Sequence, residues 1–150
     1  MNKEQVYHEL LRRLEARGAE LLAAWQSLQE SNQQEGKSSA GDKHETGTAM
    51  VHLEMEQWSR QREEHDRQMQ ELSRSAPGLM DTTIQVVPGS LVKATNGWYY
   101  VTTGFGKIEI NGITIWAISA ASPVGQALLK KRQGEAFAWG KVSGQIEALL

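Results

Sequence analysis

In the first part of the chain, Tyr7, Leu11, Leu14, Gly18, Leu21, Trp25 and Leu28 follow one another at alternating intervals of four and three residues. Such spacing turns one helix face toward a partner helix, the seam of a coiled coil. Val51, Met55, Trp58, Arg62, His65, Met69 and Leu72 repeat the rhythm. Folded back antiparallel, the two sets pair as Leu28 with Val51, Trp25 with Met55, Leu21 with Trp58, Gly18 with Arg62, Leu14 with His65, Leu11 with Met69 and Tyr7 with Leu72. Each pair of residue numbers sums to 79 or 80. A constant sum is what an antiparallel hairpin requires, because each step along one helix must be matched by a step back along the other.

The midpoint of that register falls at Ser39-Ala40, in a small, polar stretch over residues 35–41 that holds two glycines. The turn chemistry therefore agrees with the spacing, and the tip is expected near residues 36–45. Arms of roughly 30 residues, at a rise of about 1.5 Å each, put the tip about 45 Å from the base. Gly18, Arg62 and His65 weaken the middle of the seam. At Gly18 the expectation is that Arg62 lays its aliphatic stem across the gap. Helices with so thin a core need their base clamped by a larger body; the bland alternative is an ordinary helical pair lying flat on that body.

After Ala76-Pro77-Gly78 the period becomes strand-like. Residues 91–95 and 98–102 flank Asn96-Gly97, and residues 107–110 and 113–118 flank Asn111-Gly112. Both dipeptides are strong hairpin signals, so an antiparallel sheet is expected. Residues 122–132 read as a short helix with Ser122 at the N-cap, Pro123 at the first helical position, cations in the last turn and Gly134 as the stop. Strands at 135–139 and 145–149 can close the sheet across a turn at 140–144. The class is α+β: an N-terminal antiparallel coiled-coil hairpin over residues 1–76, then a small domain over residues 77–150 with one helix on an antiparallel sheet, consistent with an FKBP-like fold. Trp98, Tyr99, Tyr100, Phe105, Trp116, Phe137 and Trp139 could form a prolyl-isomerase pocket or a base-stacking platform. Core packing is the stronger default for aromatics in so small a domain.

Charge narrows the partners. Residues 1–76 hold 10 Lys/Arg against 14 Asp/Glu, and residues 77–150 hold 6 against 4. Affinity for naked nucleic acid comes from neutralising phosphates, so an acidic hairpin excludes independent DNA binding. The chain has no cysteine, which excludes disulfides, thiolate metal sites and thiol nucleophiles. No phosphate loop, dinucleotide fingerprint, hydrolytic triad order or His-Glu-x-x-His zinc pair occurs, so a stand-alone enzyme is not expected. The start of the chain runs straight into a charged periodic pattern, and no apolar run approaches a membrane span. The expectation is a soluble, cytoplasmic protein with no membrane partner.

Two stretches carry a resemblance. Ser122-Pro123-Val124-Gly125-Gln126-Ala127-Leu128-Leu129, with Lys131 and Gly134-Glu135 behind it, resembles the Ser-Pro-Leu-Gly-x-Ala-Leu-Leu-Gly-Lys-x-x-Gly-Asp signature of the GreA/GreB transcript-cleavage factors. It departs at Lys130, where Gly is usual, and at Glu135, where Asp is. Gly41-Asp42-Lys43-His44-Glu45 is similar to that family's tip motif Gly-Asp-Leu-Ser-Glu. The resemblance implies a transcription elongation factor whose FKBP-like domain docks on RNA polymerase, with Ser122, Pro123, Gly125, Lys130 and Lys131 as the partner-binding residues. It implies a hairpin that enters the polymerase secondary channel and meets the 3′ end of nascent RNA. There Asp42 and Glu45 would help hold a magnesium ion shared with the polymerase, stimulating the polymerase's own RNA hydrolysis with no cofactor bound stably by the chain alone.

Magnesium takes carboxylate and water oxygens and commonly only one or two protein carboxylates, so a pair three residues apart on a helix suits the task. The same pair also fits a capping box, each residue satisfying the other's amide. An aromatic residue usual in the family after its acids is replaced here by Thr46-Gly47-Thr48-Ala49-Met50. Two alternatives thus stay open: a secondary-channel regulator that does not stimulate cleavage, and a coiled-coil interaction module. Lys130-Lys131-Arg132 can equally contact an acidic face or complement a helix dipole.

Overall fold

The computed structural model describes residues 1–37, 41–78 and 84–150, and the side chains of residues 35–37 and 41–45 lie outside the described set. Two long helices, α1 (Lys3–Lys37) and α2 (Gly41–Arg74), precede β1 (Leu91–Ala94), β2 (Gly97–Thr102), β3 (Gly106–Ile110), β4 (Ile113–Ser119), α3 (Pro123–Leu128), β5 (Ala136–Trp139) and β6 (Val142–Leu149). The class is α+β, as expected. The proposed turn midpoint at Ser39-Ala40 lies outside the described residues. By contacts the chain divides into two compact units, Arg13–Arg67 and the combination of Met1–Arg12 with Gln68–Leu150.

In the first of these, the antiparallel register follows the spacing. The Trp58 indole N–H donates to the Leu21 carbonyl at 2.6 Å, and Nε2 of His65 meets the Leu14 carbonyl at 2.7 Å. A carbonyl only accepts, so His65 carries its proton on Nε2. The two clasps sit seven residues apart on each helix and pin the same alignment, since a slipped register would leave both donors facing the wrong backbone. Trp25 and Trp58 pack with ring centroids 4.5 Å apart, and Leu14, Leu21 and Val51 are buried.

At the weak point the structure corrects the sequence reading. Arg62 is exposed, with its guanidinium 5.6 Å from the Trp58 ring and 3.6 Å from the Asp66 carboxylate, and it does not fill the space at Gly18. The His65 ring does. A Cβ built on Gly18 would stand 3.0 Å and 3.1 Å from two of its ring atoms. A helical Gly→Ala change normally adds about 1 kcal/mol. We therefore expect Gly18→Ala to forfeit that gain, because the ring must leave either its contact or its carbonyl. A chemical-denaturation midpoint raised as in an ordinary helix would refute this.

In the second unit the six strands form one sheet in the order β3-β4-β2-β1-β6-β5. Neighbours are antiparallel except β2 and β4, which pair in parallel from Trp98 opposite Ile115 to Thr102 opposite Ser119. The expected all-antiparallel sheet is thus corrected to a mixed one. Both hairpins form, but β3 passes to the edge and β4 returns beside β2. The side chains explain why: β3 exposes Lys107 and Glu109, as edge strands do, while β4 buries Ile115 and Ala117. The first hairpin also turns one residue early. Ala94 pairs with Gly97, leaving Thr95-Asn96 as the loop. Asn96 is drawn off by β6, where its amide donates to the Ser143 carbonyl at 3.1 Å.

One sheet face carries Val92, Ala94, Tyr99, Val101, Ile146 and Leu149 into a core with Phe137 and Leu128 of α3. The other face meets the helix bases. Tyr100 donates to the Ser75 carbonyl at 3.4 Å, the Ser75 hydroxyl bonds that of Thr102, and the Gln68 amide donates to the Gly104 carbonyl at 3.3 Å. Val6, Leu10 and Leu72 are buried at these bases. Burial pushes the Tyr100 phenol well up from its ordinary range, opposed by the bond to Ser75 and reinforced by Tyr7. The base of the helical pair is therefore held by the sheet, as thin-cored helices require.

Candidate functional site

Two places were marked by the sequence, and the structure describes them unequally. Asp42 and Glu45 fall near the start of α2, which begins at Gly41. Their side chains lie outside the described residues. Among the described residues no group of three or more His, Asp or Glu gathers as a metal site would require.

The loop into α3 is built by short contacts. Ser122 caps the helix, its hydroxyl accepting from the Gly125 amide at 3.1 Å and donating to the Ser119 carbonyl at 2.6 Å. Pro123 supplies the first helical residue, where its missing N–H costs nothing. Gly125 is fixed by space: a Cβ there would lie 2.1 Å from the Ser119 carbonyl oxygen and 3.0 Å from Ala120. Ser122, Pro123 and Gly125 are thus brought together, and the glycine has a packing reason that no partner is needed to explain.

The cations behind the helix sit differently from expectation. α3 ends at Leu128, with Leu129 already extended (ψ 137), so Lys130, Lys131 and Arg132 follow its last turn and Gly134 is not its stop. Lys130 has φ 66, the left-handed region, while its amide donates to the Val86 carbonyl at 2.9 Å. Val86 in turn donates to the Lys131 carbonyl at 2.8 Å. That backbone lock explains why a glycine suits this position. Left-handed conformation costs a non-glycine residue about 1 kcal/mol, so Lys130→Gly is expected to raise stability by about that amount in urea denaturation. A lower midpoint would show that the lysine side chain contributes something the backbone argument omits. Lys131 is half-buried beside Gln126 and Ala127, on a 720 Å³ groove that β5 and β6 complete.

The aromatic residues divide. Tyr99, Tyr100 and Phe137 are buried, as the core default has it, whereas Trp116 and Trp139 stay exposed. Burial raises the Tyr99 phenol, against a bond from Asn96. No local pattern separates a buried from an exposed tryptophan on alternating strands, so sequence reasoning missed the exposed pair.

No protein-family profile matches the chain, and no curated protein matches it. Among solved structures, the GreA factor homolog 1 (Gfh1) protein of Thermus thermophilus aligns over 96% of this chain and 94% of its own, at 19% identity and a TM-score of 0.34. Those values are too low for the likeness to bear on function. Among the described residues no helix is long and apolar enough to cross a membrane.

Proposed function

We propose that this chain is a cytoplasmic RNA polymerase factor that inserts its helical hairpin into the secondary channel and stimulates cleavage of backtracked RNA. The carrying observation is the helical pair itself: arms clasped in antiparallel register at Trp58 and His65, with Asp42 and Glu45 near the start of α2. The Ser122-Pro123-Val124-Gly125 helix start supports the same reading from the other domain.

Asp42 and Glu45 are a suitable donor set for magnesium, being hard oxygen ligands in the number magnesium commonly takes from protein. Bound there with ligands from the polymerase, the ion would stabilise charge on the attacking or leaving oxygen of the phosphodiester. The chain's own task is to carry the carboxylates to the RNA 3′ end. Alone it is expected to hydrolyse nothing, to hold no metal stably and not to bind DNA.

In stalled, backtracked complexes, wild-type protein should release short 3′ RNA fragments, and Asp42→Asn should slow release by on the order of 100-fold. Equal rates for the two would remove the catalytic role. Replacement of an aromatic residue by Thr46-Gly47-Thr48-Ala49-Met50 favours a second reading, a channel regulator that binds polymerase and cuts nothing; binding without fragments would select it.

A further inference from the structure

The sheet ends at β3 on one side and β5 on the other, and the two edges are protected differently. β3 exposes Lys107 and Glu109, charges that deter a further strand. β5 reads Ala136-Phe137-Ala138-Trp139 and carries no charge; Phe137 is buried, while the other three residues are exposed. Which of its backbone groups point outward follows from its pairing with β6. Ile146 donates to the Glu135 carbonyl at 2.9 Å, and Phe137 and Trp139 stand opposite Gly144 and Val142 in the same register. Bonding alternates along an antiparallel strand, so Glu135, Phe137 and Trp139 face β6, and the amides and carbonyls of Ala136 and Ala138 face away from it. Gln145, opposite Ala136, agrees, since its own amide and carbonyl go to Thr95. Among the described residues no backbone group bonds Ala136 or Ala138 from the open side. A Cβ on Gly134 or Gly140, at either end of the strand, would meet nothing within 4 Å.

An unguarded edge accepts an extended strand, and the residues around β5 favour a second β5. With a second copy antiparallel and the two-fold axis at Ala138, that residue meets itself, as its outward N–H and C=O require. Glu135 then comes opposite Lys141 on both sides of the axis, and Phe137 opposite Trp139. Glu135, Phe137 and Trp139 share one face, and Lys141 lines the groove beside Trp139. Glu135 accepts from the Arg132 amide through Oε1 at 3.2 Å, which leaves Oε2 for the lysine. Lys131 and Arg132, before the turn at Gly134, fall past the end of the opposing strand. An axis at Phe137 would instead set Glu135 against Trp139 and Lys141 against Gln133, with no opposite charges facing.

We propose that two copies of this chain join through β5, antiparallel across a two-fold axis at Ala138, so that their sheets become one. The same patch serves both copies, the form in which most homodimers close. The pairing needs no polymerase and is independent of the function proposed above. Sedimentation velocity of the full-length chain, from micromolar to submillimolar concentration, should show a reversible monomer–dimer equilibrium. Hydrogen exchange followed by NMR should show the Ala138 amide gaining protection as the dimer fills. Ala138→Pro removes that N–H at a place where an edge strand tolerates proline. It should weaken dimerisation by about tenfold or more, since two bonds are lost at the axis, and leave the circular dichroism of the monomer unchanged. Lys141→Glu should weaken it several-fold, less so at high salt, and adding Glu135→Lys should recover most of that loss. Should Ala138→Pro fail to fold, the amide exchange and the charge reversal decide. A chain that stays monomeric throughout overturns the proposal. A dimer in which the Ala138 amide exchanges as in the monomer, or which neither Ala138→Pro nor Lys141→Glu weakens, has its interface elsewhere and overturns it as well. A double variant no tighter than Lys141→Glu alone would overturn the register.

Discussion

Gly125→Ala should lower the stability of the sheet domain by about 3 kcal/mol or more, the upper end of what overpacking costs. The new methyl would meet the Ser119 carbonyl oxygen at 2.1 Å and two Ala120 backbone atoms at 3.0 Å. Backbone cannot rotate away as a side chain does, so α3 must lift from the end of β4. Lifting it disturbs the Ser122 cap and draws Leu128 out of the core. The roughly 1 kcal/mol that alanine adds to a helix is small beside this. Urea denaturation followed by tryptophan fluorescence reads the effect, with Gln126→Ala as the neighbour that should cost far less, losing only one exposed bond to the Ala120 carbonyl. A midpoint for Gly125→Ala near that of wild type would contradict the packing account and leave a partner contact as the glycine's reason.

Trp58→Ala is expected to loosen the helical pair by about 3 kcal/mol, at the lower end for losing such a ring because Trp58 is only half-buried. It removes the stacking on Trp25, the bond to the Leu21 carbonyl and the ring beneath Arg62. Trp58→Phe keeps most of the apolar contact and gives up the hydrogen bond, so its loss should be about 1 kcal/mol. Hydrogen exchange locates the damage. Amides across Arg13–Arg67 should exchange faster in Trp58→Ala, while those of β1, β2 and β4 keep their protection. Unchanged protection along both arms would mean that the clasps do not set the register.

The hairpin was legible because coiled-coil spacing is a one-dimensional signal, and the paired numbering needed nothing beyond it. Arg62 and Gly18 show where the signal ends. Spacing assigned Arg62 inward because every seam position looks alike, yet a His65 ring that can reach the Leu14 carbonyl fills the gap better than a charged stem. In the sheet, Asn111-Gly112 marked its turn, but strand order depends on which strand can bear solvent. The charges at Lys107 and Glu109 suit β3 to the edge it occupies, and with β3 there β4 pairs in parallel with β2.

Site residues divide along the same line. Ser122 and Pro123 act on their own helix end and announce themselves locally. The need for Gly125 comes from Ser119 and Ala120 closing over it, and the left-handed backbone of Lys130 comes from its lock to Val86. Both are tertiary facts that a sequence carries without marking. Trp116 and Trp139 are legible as strand residues and no further, because exposure is decided by how far α3 reaches across the sheet.

On the proposed function, the segment joining α1 to α2 reaches the RNA 3′ end inside the polymerase. The sequence contains no cysteine, so Ser39→Cys creates a single thiol that can carry a photoreactive group. Irradiated in a backtracked complex, it should crosslink to the 3′ segment of the RNA and to polymerase residues around the catalytic magnesium. Crosslinks confined to the outer surface of the polymerase, or none at all from a chain that binds, would contradict it.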